Sequence, residues 1–327
     1  NFYYKYHYSN EHILDNYIVT KQEGLGDLDP NDPISYNKYN QKDYAPTLMH
    51  KEAIDFITRN KNSPFFLYYA SPIPHLPLQA PKKWVNYYEK KFGEEKPYTG
   101  KSYYPNKTPK ATYAAMISYL DEQVGDLVLK LKEIGQYENT LIIFTSDNGP
   151  TWVDHVDYNF FNSTGKFINS RSTMKGSVSE GGIRVPMIAS WPNKIKPNTK
   201  SNHISAFYDF FQTACDVAGI ENFEKTDGIS FYKEMIGEDQ IKHDFLYWEY
   251  PASGGLQAIR MGKWKGIKKN LFKGFSKLEL YDLSIDEKEL NDISNNYPDI
   301  VKDLEKKLKK AHSTPFLKEF IIPSLEL

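Results

Sequence analysis

The chain has 327 residues, 40% of them hydrophobic, and a formal net charge of -1: room for one large α/β domain plus a smaller one, and too balanced for a broad nucleic-acid footprint. No apolar run approaches the ~18 residues of a membrane helix, and one cysteine, Cys215, excludes an internal disulfide framework and a cysteine-rich zinc site. Aromatic residues are abundant, 25 Tyr and 19 Phe; packing is their first use and stacking on sugar rings a second.

Residues 1–46 are polar, aromatic and broken by Gly24, Gly26, Pro30 and Pro33, which reads as a surface connection carrying no chemistry. Leu48, Ala53, Ile54 and Ile57 mark one face of a helix between Thr47 and Asn60. The run Pro64-Phe-Phe-Leu-Tyr-Tyr-Ala70 predicts a buried strand, leading into Ser71-Pro-Ile-Pro-His75-Leu-Pro. Pro74 and Pro77 fix the backbone on either side of His75, so its imidazole is presented rigidly and is a candidate catalytic group; a half-buried loop histidine is the competing reading. Pro81–Pro109 shows little pattern and is expected to be a surface excursion. Thr108-Pro109 then opens the clearest helix, with Tyr113, Met116, Ile117, Leu120, Val124, Leu127, Val128 and Leu131 at three- and four-residue spacing and Gly135 as its left-handed stop.

Leu141–Phe144 is a β-branched run that reads as a strand buried on both faces, followed by Ser146-Asp147-Asn148-Gly149. A right-handed strand–helix–strand crossover would set residues 65–70 and 141–145 parallel in one sheet, with His75 and Asp147 at the same edge. Asp147 and Asn148 offer a carboxylate and an amide carbonyl, oxygen ligands suited to a hard cation such as Ca²⁺ or Mg²⁺. A plain Asn-Gly turn is the alternative. Downstream, Arg171 and Lys175 precede Glu180-Gly-Gly-Ile-Arg-Val-Pro186, and Arg184–Trp191 predicts a third strand. Lys175 is a candidate partner for an oxyanion.

A helix over Ile204–Gly219 carries Phe207, Tyr208, Phe211, Ala214, Cys215 and Ala218 on one face, with Cys215 as a small core residue. After a domain boundary near 220–235, segments at Phe245–Tyr250, Gln257–Met261, Trp264–Lys268 and Leu278–Leu283 predict an antiparallel sheet covered by a helix at Pro298–Ala311. Lys263–Lys277 is locally basic and reads as a solvated surface, with a border to an anionic ligand as the alternative.

Taken together, Pro64-Phe-Phe-Leu-Tyr with Pro74-His75, the Tyr113–Gly125 helix, Asn139-Thr-Leu-Ile-Ile-Phe-Thr-Ser-Asp-Asn-Gly149, Lys175, Glu180-Gly-Gly-Ile-Arg-Val-Pro186 and Leu280-Tyr-Asp-Leu resemble the formylglycine-dependent, arylsulfatase-like sulfatases of the alkaline-phosphatase superfamily. The resemblance implies an α/β sandwich with a largely parallel central sheet flanked by helices, plus a small C-terminal antiparallel sheet packed with a helix. It divides the chain into the C-terminal portion of a catalytic domain, residues 1–225, and a subdomain, residues 226–327. It also implies a sulfuric ester hydrolase acting on a sulfated carbohydrate or other sulfate ester, in the periplasm or secreted. In that family Asp147 and Asn148 would be ligands of one Ca²⁺, and His75 and Lys175 would contact the sulfate, with the histidine helping to protonate the leaving alcohol. His155 and Asp157 stand in a loop that is a candidate lining of the leaving-group subsite, and Arg171 is a candidate substrate contact, although relatives often carry Arg-Gly-x-Lys where Arg171 here lies four residues before Lys175.

The chain departs from the family pattern in one large respect. It contains no Cys/Ser-x-Pro-x-Arg sequence from which formylglycine is made, no early Asp-Asp pair and no Gly-Lys-Trp-His segment. The expectation is therefore a fragment whose nucleophile lies upstream and which is inactive alone. A phosphatase or phosphonate hydrolase of the same superfamily and a non-catalytic sulfated-glycan binding protein are the alternatives.

Overall fold

The computed structural model describes residues 24–40, 43–100, 103–221 and 226–326. The chain divides into two compact units, residues 1–140 with 155–157, and residues 141–154 with 158–327.

The first unit is built on three helices: α1, Ala45–Arg59; α2, Lys82–Phe92; and α3, Pro109–Glu133. The expected inward face of α3 is borne out at Tyr113, Met116 and Leu131, which are buried, whereas Ile117 is exposed. Polar contacts tie the helices together. Trp84 Nε1 and Lys83 Nζ donate to Glu122 at 2.6 and 2.5 Å, Tyr88 pairs with Ser118 at 2.7 Å, and buried Gln123 donates to Pro46 O at 2.9 Å. Thr108 does occupy the N-cap of α3, but its hydroxyl donates to Glu89. The first backbone N–H groups go instead to Glu95, at 2.7 Å from Lys110 and 3.0 Å from Ala111, a carboxylate cap from outside the helix. Gly135 stops the helix with φ 71°, its N–H on Lys132 O and that of Gln136 on Leu131 O.

Two expectations for this unit are corrected. The segment 81–109 contains α2, a helix whose packing side is aromatic, Trp84, Tyr88 and Phe92, and therefore carried no aliphatic period. Residues 65–70 form no strand ladder among the described residues. Phe65 packs edge-on to Phe56 at 5.8 Å and Tyr69 OH reaches Gln123 at 3.3 Å, while Phe66 and Tyr68 point outward, 67% and 80% exposed. The run is extended and buried on one side only.

The second unit carries two antiparallel sheets. Strands β1, Ile142–Thr145, and β2, Met187–Ser190, pair with Phe144 opposite Ile188. Among the described residues β1 pairs with β2 alone, so the expected parallel ladder of 141–145 with 65–70 does not occur there, and Phe144 and Ile188 are exposed. The short helix α4, Glu180–Ile183, precedes β2, and α5, Phe210–Ala218, follows a 3-10 turn at Phe207–Asp209. Cys215 is buried as expected, but Phe207 and Phe211 are exposed and the inward face is Asp209, Gln212 and Thr213. The cause is polar: fully buried Asp209 accepts from Ala206 N, Ile229 N and His243 Nε2 at 2.7–2.9 Å, which turns this side of the segment inward.

After the short helix α6, Tyr232–Ile236, strands β3, Leu246–Tyr250; β4, Leu256–Met261; β5, Trp264–Lys268; and β6, Glu279–Asp282 form the expected antiparallel sheet in chain order. Helix α7, Pro298–Ala311, covers one face, with Leu304 and Leu308 packed on Ile259, Leu278 and Leu280. The other face buries Ala258, Ile267 and Tyr281 with Val178 and Leu256, joining the sheet to the loop that follows Lys175.

Candidate functional site

Two motifs that are far apart in the sequence meet backbone to backbone in the second unit. Past β1 the chain turns through Ser146–Gly149, with Ser146 Oγ donating to Asn148 O at 3.0 Å. Gly149 N–H donates to Gly182 O at 2.8 Å, and a Cβ added at Gly149 would fall 2.0 Å from Gly181 O, so only glycine permits this approach. One residue on, Pro150 O accepts from Lys175 N–H at 3.0 Å, and Trp152 Nε1 donates to Lys175 O at 3.0 Å. Lys175 is thus held through its own backbone, beside fully buried Met174. The junction brings Asp147, Asn148 and Lys175 into one neighbourhood. Arg171 joins it, its guanidinium lying over the Trp152 ring at 4.1 Å.

The donor set has a definite chemistry. Asn148 Nδ2 is engaged on Gly149 O at 2.8 Å, which leaves the amide oxygen as its ligating atom. Asp147 is exposed, and neither its carboxylate nor the Lys175 ammonium has a charged partner within 4 Å among the described residues. Two adjacent hard oxygens are compatible with a Ca²⁺-type ion, which takes six to eight, and would make up only part of its ligand set. No cluster of three or more acidic, His or Cys side chains suited to a metal occurs among the described residues.

Below this junction lies a buried ionic network. Glu180, 2% exposed, accepts from Lys265 Nζ at 2.8 Å and Arg260 at 3.2 Å, with Arg184 at 3.5 Å. Lys265 itself is fully buried and lies 3.7 Å from Glu289 Oε1. Burial pushes the Glu180 carboxyl up, but Lys265, Arg260 and Arg184 outweigh it and hold the group below the usual carboxylate range. Glu289 goes the other way, since burial raises it by more than Lys265 and the Glu180 N–H lower it. The network clamps the Glu-Gly-Gly turn, and hence the seat of Gly149, to strand β5.

In the first unit, His75 N–H donates to Pro72 O at 2.7 Å and its Nδ1 faces Leu76 O at 2.9 Å. That contact fixes the tautomer with the proton on Nδ1, so Nε2 is the basic nitrogen. Tyr103 links the two candidate histidines: its ring is 6.4 Å from His75 and 6.3 Å from His155. Tyr98 stacks on His155 at 3.9 Å, and Asp157 lies 3.8 Å from Lys110 Nζ.

The sulfatase profile matches residues 2–220, and the profile described as N-sulphoglucosamine sulphohydrolase, C-terminal, matches residues 169–314. The chain belongs to the sulfatase family. It is 25% identical over 292 residues to the N-acetylgalactosamine-6-O-sulfatase of Bacteroides thetaiotaomicron, covering 84% of this chain and 52% of that protein. It is 29% identical over 218 residues to the N-acetylgalactosamine-6-sulfatase of Homo sapiens, covering 66% of this chain and 36% of the human protein. The crystal structure of Ps i-CgsB superposes with a TM-score of 0.66 at 30% identity, covering 83% of this chain and 55% of that one. The same protein has been seen in complex with k-i-k-neocarrahexaose. These solved relatives share the alkaline-phosphatase-like fold, and the sulfatase chain spans about half the length of several of the proteins it matches.

Sequence reading found the sulfatase motifs but missed the groups that hold them. Lys265 was read within a basic, solvated stretch; it is the most deeply buried lysine of the network, and its signal was parity, because it shares a strand face with Ile267. Tyr98 and Tyr103 were lost in a tyrosine-rich segment, and nothing local distinguished them from packing residues.

Proposed function

We propose that the parent protein is a sulfuric ester hydrolase that releases sulfate from a sulfated carbohydrate, and that this chain supplies some of its charge-handling groups. The observation that supports the reading is the backbone junction of Gly149 with Gly182 and of Pro150 with Lys175, which joins the Ser-Asp-Asn-Gly turn to the loop that carries Lys175. A bound Ca²⁺ would supply positive charge for the sulfuryl oxygens. Asp147 Oδ and Asn148 Oδ1 would hold that ion as part of its ligand set, and Lys175 Nζ would bind a sulfate oxygen as a point charge. With Nδ1 held on Leu76 O, His75 Nε2 would relay a proton to the alcohol oxygen as the nucleophile's oxygen bonds to sulfur and the ester sulfur–oxygen bond breaks. His155 and Asp157, grouped with Tyr98 and Tyr103, contact the leaving sugar, and Arg171 contacts the substrate. The nucleophile is a formylglycine encoded outside residues 1–327, and the enzyme works in the periplasm or outside the cell.

Ion chromatography of sulfate released by the protein in its full encoded length, with N-acetylgalactosamine 6-sulfate and other sulfated sugars, tests this. Turnover that a chelator removes and Ca²⁺ restores is expected, with Lys175→Ala lowering kcat by about 10²–10³-fold, the range for loss of one charge-stabilising donor. Phosphate-ester cleavage without sulfate release, or sulfate release unaffected by Lys175→Ala and Asp147→Ala, would overturn the reading.

A further inference from the structure

The sequence contains a single Asn-Gly step, Asn148-Gly149, in the turn that follows β1. Asparagine is a thermolabile residue, and a following glycine hinders its breakdown least, because no Cβ stands beside the attacking nitrogen. The Gly149 amide nitrogen attacks Asn148 Cγ; the N–Cγ bond forms, the Cγ–Nδ2 bond breaks, and ammonia leaves with the proton that the amide nitrogen gives up. Water then opens the cyclic imide at either carbonyl. One opening gives aspartate, and the other gives isoaspartate, with the main chain rerouted through the side-chain carbon.

The fold withholds what this attack needs. The nucleophile is engaged, since Gly149 N–H donates to Gly182 O at 2.8 Å. Gly149 is buried, and the space beside its Cα is closed by Gly181 O at 2.0 Å and Gly182 Cα at 3.1 Å from an added Cβ, which leaves the peptide no room to turn its nitrogen toward the side chain. The leaving amide is engaged too, Asn148 Nδ2 donating to Gly149 O at 2.8 Å. Lys175 N–H on Pro150 O at 3.0 Å holds the chain on the far side of the glycine, and Lys265 on Glu180 at 2.8 Å holds the Glu-Gly-Gly turn that supplies the acceptor. Reaction therefore requires a local opening in which Gly149 leaves Gly182.

We propose that Asn148 is a deamidation site whose rate is set by opening of the Gly149–Gly182 contact, and that the modification acts as a one-way latch on that contact. Isoaspartate inserts one carbon into the main chain between residues 148 and 149, at a place where the neighbouring backbone leaves no space for an added atom. Aspartate keeps the chain length but sets a second carboxylate beside Asp147, a like charge in the same turn. Either product hinders re-closure, so the modified fraction records how often the junction has opened. The chemistry needs only the turn, the two facing glycines and water, and is independent of which ester the protein cleaves.

The test incubates the protein in its full encoded length at mildly alkaline pH with Ca²⁺ present, in native buffer and in the same buffer with denaturing urea. Mass spectrometry of the proteolytic peptide that contains Asn148 follows the mass gained as NH₂ becomes OH, and an isoaspartyl methyltransferase counts the isoaspartate. Conversion in urea at least about tenfold faster than in native buffer is expected. Two variants loosen the contact: Gly182→Ala, whose methyl would meet Ser177 O at 2.5 Å and displace the accepting carbonyl, and Glu180→Gln, which weakens the clamp beneath it. Each should speed the native reaction by about threefold or more while leaving the rate in urea unchanged. Near-UV circular dichroism confirms that each variant is folded, and if Gly182→Ala is not, Glu180→Gln decides alone. A native rate within about threefold of the rate in urea, an unchanged native rate in a folded variant, or no conversion of Asn148 in urea overturns the proposal, whatever is found for sulfate release.

Discussion

Replacing Lys265 by Met isolates the charge of the buried network from its volume, because methionine fills most of the space of the lysine stem. The Lys265–Glu180 contact is 2.8 Å with both side chains almost wholly out of water. At an effective dielectric near 20 its gross Coulomb energy is about 6 kcal/mol. Arg260, 3.2 Å from the other oxygen, stays in place and retains part of that attraction. Glu289, however, loses its nearest cation and now faces Glu180 across the vacated position. Removing one partner of a buried pair typically costs about 3–5 kcal/mol; with Arg260 retained, about 3 kcal/mol is expected. For a unit of this size that lowers Tm by roughly 6–12 °C. Differential scanning fluorimetry at pH 7 measures it. The double variant Lys265→Met, Glu180→Gln should recover part of the loss, since it also removes the uncompensated carboxylate. A shift equivalent to less than about 1 kcal/mol in the single variant would refute the claim that this is a desolvated, mutually dependent pair.

Gly149→Ala should collapse the junction, because its methyl would sit 2.0 Å from Gly181 O; a loss of roughly 2–4 kcal/mol by denaturant titration is expected, and a change within 0.5 kcal/mol would contradict the close approach. Glu180→Gln and Glu289→Gln should move Tm in opposite directions at pH 7.5. Glu180 has a depressed folded pKa and contributes stability that is present above the unfolded value and lost as pH falls through the folded one, whereas Glu289 has a raised folded pKa and its contribution falls as pH rises. His312 is pulled down by burial but raised further by Glu249 at 2.6 Å and Glu326 at 3.2 Å, so its contribution is complete below the unfolded pKa and is lost as pH rises through the folded one. In His312→Phe the Tm-versus-pH curve above about pH 6.5 should flatten relative to the unaltered protein.

What was legible in the sequence was whatever one element decides for itself. The apolar spacing of α3 and α7, the Gly135 stop and the four strands after residue 245 each follow from local periodicity, and each was found. Asp147, Asn148 and Lys175 stood out only through the family resemblance of their motifs, since alone the Ser-Asp-Asn-Gly run reads as a turn and Lys175 as a solvated lysine. The misses share a different cause, partnership across the chain. Whether 65–70 forms a ladder depends on which strand lies beside it. The inward face of α5 is set by Asp209 binding Ala206, Ile229 and His243 rather than by its phenylalanines. Lys265 and Glu180 are 85 residues apart, and neither announces the other.

The contact that seats Gly149 against Gly181 and Gly182 involves no side chain. It is a contact of main chain with main chain, so it has one solution and no graded variants: a substitution there does not retune the site but removes it. Arg171, Ser172 and Ser253 are the opposite, exposed side chains on turns that can change one residue at a time. A protein engineer therefore has a fixed anvil with interchangeable jaws, and libraries aimed at new glycans should vary positions 171–173 and 253 while leaving 149, 181 and 182 alone.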